Sequence, residues 1–409
     1  MNALTKRSAV TVFSVFAFAY FFSALIRAIT ATLSSTLTAE FAFNARDIGL
    51  LGGGYFLGFA ATQLPLGRWL DRFGPKRVIL SLLAVAVAGC IAFAMATSFY
   101  GLLAARVLCG IGVSACLMAP LTGYRRWLAA STQLRANSWM LMVGAMGMVG
   151  STLPVQWLLP VLGWRVLFFG LAALVLLAMA LIAWQVPTWD VARAEVEKTK
   201  AAGYAEVWRH PYFRKMAPIG LINYGGMIAM QTLWAAPWMV KVSGYTALQA
   251  ATGLFWINVA MLCIFLVWGV VNPWFTRQGL YADRLIALGL PVSFIFVAII
   301  IIAGGALSVW AGVAWALFCV SCTFVSLAQP AVAMAFAPSM AGRALSAYNL
   351  VIFVGVFIVQ WGMGLCIDGF KAVGLTEIQA FQAAMSVYLA CSIVAYLYFL
   401  VAKSHNQTL

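Results

Sequence analysis

Acidic residues and histidines are scarce in this chain of 409 residues, which has ten Asp and Glu together and two His against 25 Lys and Arg. Charged residues make up 9% of the sequence and hydrophobic residues 64%, whereas about a quarter of the residues of a soluble domain are charged. A water-soluble core could not absorb that much apolar surface. The sequence also has no metal-spaced His cluster, no nucleotide-binding glycine loop and no plausible nucleophile with its base, so we expect no enzymatic activity and no cofactor.

The apolar residues occur in runs long enough to cross a bilayer, which takes roughly 20 residues per helix. They predict an all-α polytopic membrane protein with twelve transmembrane helices, called spans 1 to 12 below. The predicted limits are 10–34, 48–66, 78–97, 100–122, 138–159 and 165–186, followed by 216–239, 248–271, 284–303, 308–335, 344–366 and 380–402. The stretch between the two sets is the most polar in the chain. We therefore predict two six-helix domains, 1–186 and 216–409, joined by a cytoplasmic linker, 187–215.

The basic residues predict how the chain crosses the membrane. With the N-terminus inside, 19 of the 25 Lys and Arg fall in inner segments and four in outer loops, and short loops rich in Lys and Arg stay in the cytoplasm. We expect a multi-pass protein of the cell inner (plasma) membrane with both termini in the cytoplasm. The net charge of +15 then reflects topology and does not require a nucleic-acid partner. Span 1 is too long for a cleavable signal peptide.

The segment between spans 2 and 3 contains the most specific motif of the chain. From Gly67 to Arg77 it reads GRWLDRFGPKR, which resembles the signature loop of the major facilitator superfamily, G-x-x-x-D-R-x-G-x-[RK]-[RK], at every defined position. Arg106-x-x-x-Gly110 in span 4 and the Gly-Trp-Arg sequence at 163–165 extend the resemblance over essentially the whole chain. The resemblance implies the family's fold, two pseudo-symmetric six-helix bundles around a central cavity, and transport by alternating access.

We interpret the signature loop as a conformational latch rather than a substrate site. Its two glycines allow close helix contact and a tight turn, its acid can accept bonds from arginines or cap a helix, and its basic cluster can meet anionic headgroups. The alternative is a topology signal alone. The latch residues are Gly67, Asp71, Arg72, Gly74, Lys76 and Arg77.

Two arginines, Arg27 in span 1 and Arg106 in span 4, are the only charged residues predicted inside apolar helices. A buried guanidinium without a carboxylate partner costs several kcal/mol, and an anionic substrate would remove that cost, bidentately if it is a carboxylate or phosphate. For Arg27 the alternatives are snorkelling to the outer interface or a structural pair. Arg106 belongs to a motif found in relatives with unrelated substrates, so it could instead hold span 4 in place. Arg27 is therefore the stronger candidate for substrate binding.

Spans 1, 4, 7 and 10 line the cavity in the family that the chain resembles, so their polar faces indicate further substrate contacts. Such stripes should face protein or water rather than lipid, although ordinary helix packing is an equal alternative. Besides the two arginines, the candidate substrate-binding residues are Tyr20, Ser23 and Thr30 in span 1, Tyr224, Gln231, Trp234 and Trp238 in span 7, Ser326 and Gln329 in span 10, and Asn349 in span 11.

Together these features predict a secondary active or facilitative transporter that moves a small organic anion of the carboxylate type, as a monomer in the lipid bilayer. No acid or His is predicted within the spans, where proton coupling normally needs one. Facilitated diffusion or anion exchange is thus favoured over strict proton coupling. The alternative function is efflux of hydrophobic or drug-like compounds, possibly proton-coupled, against which the missing acid argues. A non-transporting receptor or scaffold would need a sizeable soluble domain, for which the linker and termini are too short.

Overall fold

A computed structural model describes residues 4–128, 130–188 and 204–402 of the protein. These residues are almost entirely helical and form no β-strand, which confirms the predicted all-α class. Of the predicted linker, positions 189–203 lie outside the described residues.

The helices of the first half follow the predicted spans and extend beyond most of their limits. Span 1 is Lys6–Phe41, spans 2 and 3 together form Ala45–Met95, and span 4 comprises Phe99–Val113 and Ala115–Trp127. Span 5 begins with Ala130–Gly150 and continues into Leu153–Gln185, where the chain turns at Gly163 (φ 72°) before span 6.

The helices of the second half begin with two short elements, and span 7 is built from several pieces. The bounds are Tyr204–Arg209 and Pro211–Pro218, then Ile219–Tyr224, Gly225–Ala229, Met230–Trp234 and Ala235–Lys241 for span 7, Ala247–Arg277 for span 8, and Ala282–Ala303 for span 9. Gly304–Trp310 connects it to span 10, which comprises Ala311–Cys322, Thr323–Leu327 and Ala328–Met334, and spans 11 and 12 are Pro338–Ala372 and Glu377–Val401.

Eight helical stretches in the described part of the chain are long and apolar enough to cross a membrane. Two of them, Ala45–Met95 and Ala282–Met334, contain 51 and 53 residues. At 1.5 Å per residue each would extend about 75 Å, far more than the roughly 30 Å of a bilayer's apolar core. The chain turns within each, at Gly74 (φ 77°) and around Gly304 (φ 48°), so each provides two crossings. With spans 5 and 7 these stretches account for the twelve predicted spans.

Span 7 departs from regular α-helical geometry at two places. The segments Ile219–Tyr224 and Met230–Trp234 have π-helical hydrogen bonding, in which each turn holds an additional residue. Such segments occur frequently at functional sites. The second contains two of the residues predicted to bind substrate, Gln231 and Trp234.

The contacts group the described helices into two compact units. The first contains span 1 up to Ile29 and the chain from Gly54 to the end of span 6, and the second contains Thr30–Gly53 and the described residues after 203. The end of span 1 and the beginning of span 2 therefore pack with spans 7 to 12.

In the first unit, spans 2 and 4 are in backbone contact because glycines face each other's helix. A Cβ atom at Gly110 would lie 1.9 Å from the carbonyl oxygen of Tyr55, and one at Gly58 would lie 2.2 Å from that of Val107. Neither position has room for a side chain. This close approach brings Arg106, which precedes Val107, next to the ring of Tyr55.

In the second unit, a carboxylate of span 11 caps the beginning of span 2. The backbone N–H groups of Ala45 and Arg46 donate to the two oxygens of Asp368, at 3.2 and 2.9 Å. The first N–H groups of a helix have no partner within the helix, and the partial positive charge there favours an anion. Asp368 therefore stabilises the first turn of span 2 in the position seen here.

The same two spans continue in contact along what we call the glycine crossing. A Cβ atom at Gly49 would lie 2.4 Å from the carbonyl oxygen of Gln360, and one at Gly364 would lie 2.4 Å from that of Ala45. The side chain of Gln360 fills the space beside Gly52 and donates to Thr232 of span 7 at 3.0 Å. Backbone surfaces thus meet between Ala45 and Gly49, over about one helical turn.

Candidate functional site

The candidate site in the first unit is centred on Arg27. Its guanidinium carbon lies 5.5 Å from the ring centroid of Phe59 in span 2, within the range of a cation–π interaction. It also interacts electrostatically with Tyr20, Tyr55 and Cys116. We call these five residues the Arg27 cluster.

The local sequence explains why the cluster forms on this face of span 1. The candidate residues Tyr20, Ser23, Arg27 and Thr30 are separated by three or four positions, so they occupy one side of the helix. Arg27 is half-buried and the other three are buried, so this side packs against protein. At Gly144 of span 5, a Cβ atom would lie 2.5 Å from the ring of Tyr20. The glycine therefore leaves room for the tyrosine.

Arg106 is buried beside the Arg27 cluster. Its exposed fraction is 0%, and it is the only charged side chain in the buried class among the described residues. One nitrogen, Nη1, donates to the carbonyl oxygen of Ile26 at 2.9 Å, and the guanidinium carbon lies 5.0 Å from the ring centroid of Tyr55. Nε and Nη2 are buried without a hydrogen-bond partner. Arg106 thus ties span 4 to span 1 immediately before Arg27.

Tyrosines and cysteines are among the residues that interact electrostatically with the two arginines. In the described part of the chain, every Asp and Glu side chain is at least partly exposed, in loops or near the ends of helices. Both guanidinium groups interact with Tyr55, and two positive charges beside one ring favour a bound anion.

The second unit contains the remaining candidates, and several are committed to contacts within that unit. Gln231 donates to Asn258 at 2.9 Å, and Trp234 donates to the carbonyl oxygen of Gln360 at 3.1 Å. Trp238 is buried against Trp315, with ring centroids 6.1 Å apart. These contacts are the expected result of ordinary helix packing and leave little polar surface for a substrate.

Four candidates of the second unit keep some exposure. The half-buried residues are Tyr224, Ser326, Gln329 and Asn349. Gln329 of span 10 donates to Asn349 of span 11, so the structure brings these two predicted residues together. Tyr224 ends the first π segment of span 7.

The latch residues lie around the turn between spans 2 and 3. Gly74 has a φ of 77°, a conformation that favours glycine, and Lys76 donates to the carbonyl oxygen of Val186 at the end of span 6, at 2.7 Å. Asp71, Arg72 and Arg77 are exposed. A Cβ atom at Gly67 would have no neighbour within 4 Å. Gly67 therefore makes no close contact with another helix, which was one of the two roles expected of the loop glycines.

Sequence reasoning missed three members of the Arg27 cluster, Tyr55, Phe59 and Cys116. Tyr55 and Phe59 are four residues apart in an apolar helix that was not expected to line the cavity, and their spacing alone resembles lipid-facing or core packing. The available signal was Gly110 of the Arg106 motif. A glycine there indicates that another backbone approaches span 4, and that backbone belongs to Tyr55.

Comparisons with known proteins agree with this architecture. The family model of the Major Facilitator Superfamily matches residues 16–360. The inner membrane transport protein YajR of Escherichia coli (strain K12) is 27% identical over 324 residues, which cover 76% of this chain and 67% of that protein.

Two solved structures show the same fold at low sequence identity. A bacterial homologue of the human lysosomal transporter Spinster has a TM-score of 0.79 at 16% identity and 98% coverage of both chains. A D-xylose–proton symporter has a TM-score of 0.78 at 13% identity, with 98% of this chain and 100% of that chain covered. The predicted fold and the general class of transporter are confirmed. Since the family model matches most of its length, this multi-pass membrane protein belongs to the major facilitator superfamily.

Proposed function

We propose that the protein moves a small organic anion of the carboxylate type across the inner membrane by alternating access. In this proposal it works as a monomer with both termini in the cytoplasm, and the domains 1–186 and 216–409, joined by the linker 187–215, provide the alternating motion. The proposal rests chiefly on one observation, the position of Arg27 among Tyr20, Tyr55 and Phe59.

The chemistry of the Arg27 cluster suits a carboxylate with an organic body. A guanidinium presents N–H groups in a planar fork that matches the two oxygens of a carboxylate. The surrounding aromatic rings offer apolar surface to the rest of the substrate. Binding would replace water around the anion with fixed donors in a site of low dielectric constant, where a charge pair is stronger than in water.

We propose that the loop 67–77 acts in the conformational cycle rather than in substrate binding. Two observations support this role, the turn at Gly74 and the bond from Lys76 to the end of span 6. A cation at a helix C-terminus is favourable, so Lys76 holds the beginning of span 3 to span 6.

The proposed function can be tested with a thermal-stabilisation screen of organic acids on the purified full-length protein, followed by uptake into proteoliposomes. We expect organic anions to raise the melting temperature of the wild type, and we expect Arg27→Gln to lose this response and the uptake. Arg7→Gln is the matched control because Arg7 lies on the same helix and is exposed. The proposal fails if the wild type responds only to neutral or cationic compounds, which would favour efflux of hydrophobic compounds. It also fails if Arg27→Gln responds to acids as the wild type does.

A further inference from the structure

Arg106 uses only part of its hydrogen-bonding capacity. Nη1 is bonded to the carbonyl oxygen of Ile26, whereas Nε and Nη2 have no partner although the side chain is fully buried. Buried polar atoms are nearly always hydrogen-bonded, so such an exception indicates a missing ligand, a missing water or a functional role. For a guanidinium the loss is larger than for a neutral group because the charge is also removed from water.

The two free nitrogens form one complete edge of the guanidinium. Nε and Nη2 point in parallel and are the pair that binds both oxygens of a carboxylate or phosphate group. The bond to Ile26 occupies the other side of the group, so an anion on this edge would not displace it. Arg106 can therefore keep its structural bond and still bind an anion.

The free edge belongs to the same neighbourhood as Arg27. The ring of Tyr55 lies 5.0 Å from the guanidinium carbon of Arg106, and Tyr55 also interacts electrostatically with Arg27. The carbonyl oxygen that Arg106 binds belongs to the residue immediately before Arg27. A second negative charge on the substrate would compensate the guanidinium of Arg106, whose Nε and Nη2 have no hydrogen-bond partner.

We propose that the Arg27 cluster and Arg106 together select a dianion, a small substrate that carries two negative charges. One anionic group binds Arg27, and the second negative charge is neutralised at the Nε and Nη2 edge of Arg106. A dicarboxylate and a phosphate monoester share this chemistry. The inference rests on the proposed transport of an organic anion and further specifies that this anion carries two negative charges.

The decisive test compares ligands of the same size and different charge on the purified full-length wild type. Succinate, monomethyl succinate and butyrate are titrated at a pH at which every carboxyl group is ionised. We expect succinate to bind about ten- to a hundredfold more tightly than the two monoanions, the range of one hydrogen-bonded charge interaction. Equal affinities of the three ligands would overturn the inference and leave the proposed function standing. If no organic anion binds, the proposed function itself is wrong.

Variants then assign the preference to Arg106. In Arg106→Gln we expect the ratio of the succinate affinity to the butyrate affinity to fall towards one, and in Arg27→Gln we expect both affinities to weaken. Persistence of the succinate preference in Arg106→Gln would contradict the assignment. If that variant does not fold, the ligand series on the wild type and the variant Arg106→Lys, which keeps the charge but lacks the planar edge, decide the question. Methyl phosphate, titrated in parallel, shows whether both charges can reside on one group.

Discussion

Replacing Gly110 with alanine should destabilise the protein and weaken anion binding, because Gly110 packs against the backbone of Tyr55 and Phe59. The new methyl group would lie 1.9 Å from the carbonyl oxygen of Tyr55 and 3.0 Å from the backbone nitrogen of Phe59. Ordinary contact begins at 3.4 Å, so spans 2 and 4 would have to separate locally by about 1.5 Å. Overpacking of this kind costs typically about 1–3 kcal/mol.

The separation would also displace two members of the Arg27 cluster, because Tyr55 and Phe59 move with the backbone of span 2. We therefore expect a lower melting temperature for Gly110→Ala without ligand and a smaller stabilisation by organic anions. Gly170→Ala in span 6 is the matched control, since a Cβ atom there meets nothing within 4 Å, and alanine favours a helix over glycine by up to about 1 kcal/mol. If the two variants have equal stabilities and equal anion responses, the backbone contact does not position the site.

Two further predictions concern charged and titratable residues in the second half of the chain. The amine of Lys215 lies 2.6 Å from Asp283, and the Lys215 side chain is only 13% exposed, so Asp283→Asn should lower the free energy of unfolding by about 1–2 kcal/mol. Glu377→Gln removes the exposed partner of Lys241 and should change the free energy of unfolding by less than about 0.5 kcal/mol. Equal effects of the two variants in thermal unfolding would contradict this prediction. Burial lowers the pKa of His210 below its ordinary value of 6.5, so its contribution to stability should be complete above that pH and be lost as the pH falls below it. His210→Gln should reduce the drop in melting temperature between neutral and mildly acidic pH, and an unchanged pH profile would refute the assignment to His210.

The fold was predictable because its two strongest determinants are local in the sequence. Apolar runs of bilayer length give the spans, and the signature loop gives the family. The ends of the helices were less predictable. Span 1 was expected over 10–34 but extends from Lys6 to Phe41, since backbone hydrogen bonding continues after hydropathy declines.

The candidate site could be predicted from the sequence only at its charged residues. Arg27 and Arg106 stand out as the only charges within apolar helices, and the structure places them in one neighbourhood. Tyr55 and Phe59 were not recognisable because an aromatic residue in a membrane span has no sequence feature that separates lipid contact from substrate contact. Trp238 was predicted to bind substrate because it lies on the same face of span 7 as polar residues, whereas in the structure its ring packs against Trp315.

The glycine crossing between spans 2 and 11 has an energetic consequence that follows from its composition. Gly49 and Gly364 meet backbone atoms of the facing helix, so the two surfaces are formed largely by groups that have no rotamers. Burying a long side chain costs up to about 2 kcal/mol in conformational entropy, and burying a glycine costs nothing on that scale. Such a contact can form or separate with little entropic change on either side, and its strength depends on fit and on the cap from Asp368.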